Sequence, residues 1–128
     1  VYKQADVACS PTQLVLLLFD GALRYTRDAA EHMRAQRWAE KGIAVEAAVE
    51  CLTELRKGLD RQQGGDAAIQ IDRMYDLLIT KITVGNAAKD AAQFDQVIDS
   101  LQSLKSAWQE LFGRLQAEGK LVSEEAAV

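Results

Sequence analysis

Apolar residues recur along this chain at three- and four-residue intervals, the spacing that places side chains on one face of an α-helix. The first such run opens on Ser10-Pro11-Thr12-Gln13. Serine suits the N-cap, proline the first helical position, and glutamine three residues after the cap completes a capping box. Leu14, Leu18, Ala22, Tyr25, Ala29 and Met33 then form one stripe to about Arg34. A second stripe of Leu16, Phe19, Leu23 and Ala30 is offset from it by about 120° around the helix, so the apolar arc is wide. Either neighbouring helices bury both stripes, or the second is left open as a groove for a partner helix.

Three further helices follow. Residues 38–42 read either as loop or as a first turn, but from Val45 the pattern Val45, Ala48, Leu52, Leu55 and Leu59 is regular. Gly58 with Gly64 and Gly65 is expected to end that helix and form the turn. The third helix is predicted from near Asp66, with Ala68, Ile71, Tyr75, Leu78 and Ile82 facing inward, to a stop at Gly85-Asn86. Asp90 and Gln93 predict a second capping box, followed by Phe94, Val97, Leu101, Leu104, Trp108, Leu111 and Leu115. Short connections cannot cross a helix ~30 Å long, so consecutive helices must run antiparallel. The predicted fold is all-α: a single helical domain over residues 1–128, an up-down four-helix bundle at 10–118 with an N-terminal arm at 1–9 and an acidic tail at 119–128.

Composition supports this and removes other classes. With 128 residues, 48% of them apolar and 27% charged, the chain can bury a core without staples. One proline and eight glycines are too few for a sheet-rich chain of this length. Fifteen basic residues against nineteen acidic ones give a net charge of -4 with no basic block, which argues against nucleic acid as a partner. The longest apolar run, Leu14 to Phe19, is far below the ~20 residues of a membrane span, and no signal peptide is evident. A cytoplasmic protein without membrane insertion is expected.

Candidate chemistry is sparse. Cys9 and Cys51 lack CxxC spacing and read as small apolar fillers, so neither a metal site nor a cofactor is expected. His32 has no Glu-x-x-His context for a di-iron centre. A histidine phosphotransfer bundle would need it exposed, whereas helical geometry points it the same way as Leu14, at the edge of the core stripe. With a single histidine no hydrolase triad can form, and no catalytic residue is expected.

Several short motifs carry a family resemblance. Tyr2-Lys3-Gln4, Ser10-Pro11 with Gln13-Leu14, Leu18-Phe19-Asp20-Gly21-Ala22, Leu55 to Asp60, Gly64-Gly65, Met74-Tyr75-Asp76, Asn86 to Asp90 and Ala107-Trp108 follow one another in the order and spacing of the flagellar secretion chaperone FliS family. Gly85, where an alanine is usual, and Trp38 with Gly42 depart from that pattern. The resemblance implies a non-enzymatic chaperone that covers the C-terminal, helix-forming segment of flagellin, prevents premature polymerisation and presents it to a component of the flagellar type III export gate. It also implies that the arm around Tyr2 lies over the bundle without client and takes part in export hand-off. On this reading Leu16, Phe19 and Leu23 are the expected flagellin groove. A phosphotransfer bundle using His32 is the alternative, and a homodimer that uses the second stripe is a further possibility.

Overall fold

The computed structural model describes residues 10–119, which form α1 (Pro11–Arg34), α2 (Trp38–Lys57), α3 (Arg61–Ala88) and α4 (Ala91–Ala117). No strand occurs among the described residues. The helices run up and down, with α1 packed on α2 and α4, and α3 on α2 and α4. The all-α four-helix bundle expected from the pattern is the observed architecture. Tyr2 and Cys9 lie outside the described residues, as do the rest of the arm and the tail beyond Gly119.

Local sequence explains most boundaries. The capping box at α1 is complete: Ser10 Oγ accepts from the Gln13 N–H at 3.1 Å, and Gln13 Oε1 accepts from the Ser10 N–H at 3.3 Å. A left-handed residue, Gln36 (φ 60°), turns the chain after α1, so α2 starts directly at Trp38. Three expectations are corrected. The α2–α3 turn is Gly58 to Asp60, because Asp60 Oδ1 caps the Gln63 N–H at 3.1 Å and starts α3 at Arg61. Gly64-Gly65 is instead a kink inside α3, where Gly65 takes φ 55°, a value open to glycine at little steric cost. At α4, Asp90 Oδ1 accepts from the Ala92 N–H at 3.0 Å rather than from that of Gln93.

The core joins all four helices, from Phe19, Leu52, Leu55 and Leu59 to Tyr75, Ile82, Phe94, Val97 and Leu101. Val45, Ala48, Leu52, Leu55 and Leu59 are all buried, as their spacing predicted. Both stripes of α1 point inward: Ala22, Ala29 and Met33 of the first and Phe19, Leu23 and Ala30 of the second are buried. Two neighbours, α2 and α4, require a face this wide. Small residues line the α1–α2 seam, where Ala22, Ala29, Ala44 and Ala48 are all buried. The Cys51 thiol, half-buried in α2, has its pKa pushed up by burial and then by Glu50, with Arg24 opposing.

Candidate docking surface

Surface apolar area concentrates on α3. Leu77 is 55% exposed and Met74 42%, although both stand in the middle of a long packed helix. They form one wall of an open groove of about 420 Å³ between α3 and α4, lined also by Leu78, Leu104, Asp99, Ser100 and Ser103. α4 contributes two small serines, Ser100 and Ser103, to the lining beside Leu104, which leaves the space in front of the α3 side chains open. Leu78 is buried and Leu104 half-buried, which gives the groove an apolar floor under a polar rim. Such a shape fits the apolar face of a helix, whose anchor residues recur every three or four positions.

The structure behind the groove is stiff. Tyr75, next to Met74 in the chain, is fully buried, meets the Phe19 ring at 6.0 Å between centroids, and accepts a hydrogen bond from Trp108 Nε1 at 3.2 Å. Trp108 stacks on Phe112 at 5.3 Å. One turn away, Arg56 of α2 grips Asp72 of α3 with Nε at 2.9 Å, and Arg61 adds a contact at 2.7 Å. The hydrogen bond from Arg56 holds the Asp72 carboxyl below its usual pKa against the opposing effect of burial, with Arg61 helping. The α1–α4 side differs in character. Its two shallow dents are bridged by the ion pairs Lys105–Asp20 and Arg34–Asp95.

The residues expected to form the groove lie elsewhere. Phe19 is fully enclosed in the core, Leu23 is buried beside the polar α1–α4 dent, and Leu16 is half-buried against the core. As found, Phe19 and Leu23 offer no surface to a partner, because α2 and α4 cover the stripe that carries them. The exposed apolar face of α3 was legible in part: Leu77 and Val84, seven residues apart and both exposed, mark a second face of α3 outside its core stripe. His32 is half-buried at the end of α1, and its Nδ1 accepts from Arg37 Nε at 2.9 Å. Among the described residues no group of His, Cys, Asp and Glu could hold a metal ion, and no helix is long and apolar enough to cross a membrane.

A family model described as flagellar protein FliS matches residues 2–114. The chain belongs to the FliS family. It is 32% identical over 112 residues to the flagellar secretion chaperone FliSB of Pseudomonas aeruginosa, covering 84% of this chain and 89% of that protein. It is 30% identical over 115 residues to the flagellar secretion chaperone FliS of Vibrio cholerae, covering 86% and 85%. With FliS of Salmonella typhimurium the identity is 29% over 110 residues, covering 85% and 82%. Nearly the whole bundle therefore falls within the family match, the α3–α4 groove included.

Proposed function

We propose that this FliS-family chain binds the C-terminal, helix-forming segment of flagellin in the cytoplasm, keeps it from polymerising and supports its export. What supports this reading is the apolar α3–α4 groove, with Met74 and Leu77 exposed over Leu78 and Leu104 in a protein of the secretion-chaperone family. Free monomers rarely keep such side chains together in a groove without a partner to cover them. The action is non-enzymatic: the client segment orders itself on the rigid bundle, and the apolar area it buries offsets the entropy it loses. The client seat proposed from the sequence moves accordingly, from Leu16, Phe19 and Leu23 to Met74, Leu77 and Leu104. Tyr2 and its arm keep their proposed part in hand-off to the export gate.

Calorimetric titration with a flagellin C-terminal fragment tests the reading. Binding with a negative heat-capacity change, and a gain of helix beyond the sum of the parts, is the expected result. Leu77→Glu should abolish that binding while leaving the melting temperature nearly unchanged, since the new carboxylate is solvated only in the free protein. Unchanged binding by Leu77→Glu would remove the groove from the account, and no binding by the parent chain would remove the client.

A further inference from the structure

At the end of the bundle where α1 turns into α2 and α3 into α4, two lysines gather around one indole. Lys41 is only 9% exposed, yet its ammonium has no acidic partner: Nζ reaches the Asn86 carbonyl oxygen at 3.5 Å and stands 5.3 Å from the centre of the Trp38 ring. Lys89 is left-handed at φ 55° and places its Nζ 4.8 Å over the same ring. Among the described residues neither lysine forms an ion pair. Of the acidic groups close in sequence, Glu31 pairs with Arg37, the Asp90 side chain accepts from the Ala92 N–H and Glu40 stands in the first turn of α2, and none of them pairs with either lysine.

The surroundings hold further polar groups without a side-chain partner. α2 begins at Trp38 with no side-chain cap, whereas Ser10, Asp60 and Asp90 cap the other helices, and Glu40 in its first turn offsets part of the positive charge of its first N–H groups. Asn86 Oδ1 is buried with no hydrogen-bond partner. Removing an ammonium from water without a counter-charge is unfavourable, and an aromatic face compensates only part of it. An anion between the two lysines would complete the compensation. Trp38, 42% exposed, offers an apolar platform beside them.

We propose that this end of the bundle is a second docking site, which takes an acidic peptide segment of a partner protein: a carboxylate between Lys41 and Lys89 and a neighbouring apolar side chain on the Trp38 indole. Charge complementarity selects the occupant. Two lysines without ion pairs on a chain of net charge -4 suit a short acidic segment, while the net charge repels a polyanion such as nucleic acid. It does not depend on the client reading, because Asn86 lies about 12 Å beyond Leu78 along α3 at 1.5 Å per residue.

The probe is an end-blocked peptide of alternating glutamate and phenylalanine, titrated into the full chain by calorimetry and Trp fluorescence, with its glutamine counterpart and a single-stranded oligonucleotide as controls. Submillimolar binding of the acidic peptide that weakens with salt, with at least tenfold weaker binding of the glutamine peptide, is expected. Lys41→Met keeps the buried stem and removes the charge; Lys89→Asn keeps a residue that tolerates the left-handed backbone. Together they should weaken the acidic peptide at least tenfold. Should Lys41→Met unfold the chain, Lys89→Asn alone must weaken binding at least threefold. Absence of binding, equal binding of the glutamine peptide, preference for the oligonucleotide, or variants that lower only the melting temperature would each overturn the proposal.

Discussion

Trp108 of α4 donates its indole N–H to the phenolic oxygen of Tyr75 on α3, 3.2 Å away and inside the core. The bond ties together the two helices that flank the groove, close to Met74 and Leu77. Removing the acceptor with Tyr75→Phe leaves the buried indole N–H without it and should lower stability by about 1–3 kcal/mol. Urea unfolding followed by far-UV circular dichroism measures it. A loss near zero would show that the bond contributes nothing to folding.

Phe19 and Leu17 are two residues apart on α1 and should behave oppositely. Phe19 is fully buried against Tyr75, so Phe19→Ala should cost about 3–5 kcal/mol. Leu17 is 56% exposed, and Leu17→Ala should change stability by no more than about 0.5 kcal/mol. Parallel denaturant melts decide the matter, with equal losses counting against the observed orientation of α1.

Gly85 stands where the chain leaves no room for a side chain. A Cβ at that position would come within 2.7 Å of Gln93 Cβ and 3.2 Å of the Asp90 carbonyl oxygen. Gly85→Ala should therefore destabilise by about 1–3 kcal/mol, the usual cost of overpacking. Gln93→Ala keeps the Cβ that makes the closest contact, so the double change Gly85→Ala with Gln93→Ala should recover little of the loss, read as the difference between the two thermal melts.

Acid should loosen the α2–α3 seam. Arg56 holds the folded-state pKa of Asp72 below the ordinary aspartate value of about 3.9. A depressed carboxylate stabilises the fold above the unfolded value, and that contribution is lost as pH falls through the folded one. Asp72→Asn should thus lower the melting temperature at pH 7 and flatten its decline below about pH 4. Parallel acid limbs for parent and variant would show that the pair contributes nothing to folding.

Periodicity alone determined the number of helices, their direction and most of the core, because each inward stripe is a local property of a 3.6-residue repeat. Leu52, Tyr75 and Phe94 could be placed inside before any neighbour was known. The capping box at Ser10 was legible for the same reason, since it involves only residues three apart. The tertiary structure decided how many neighbours each stripe meets. The wide arc of α1 fits a groove or a two-sided packing equally well as a pattern, and α2 and α4 closed over Phe19 and Leu23. It also decided where bulk is missing: Ser100 and Ser103 leave Met74 and Leu77 uncovered only because α4 lies across from α3. The meeting of Lys41, Lys89 and Trp38 joins two turns far apart in the chain. Residues separated by that much sequence come together through long-range packing, which no local repeat encodes.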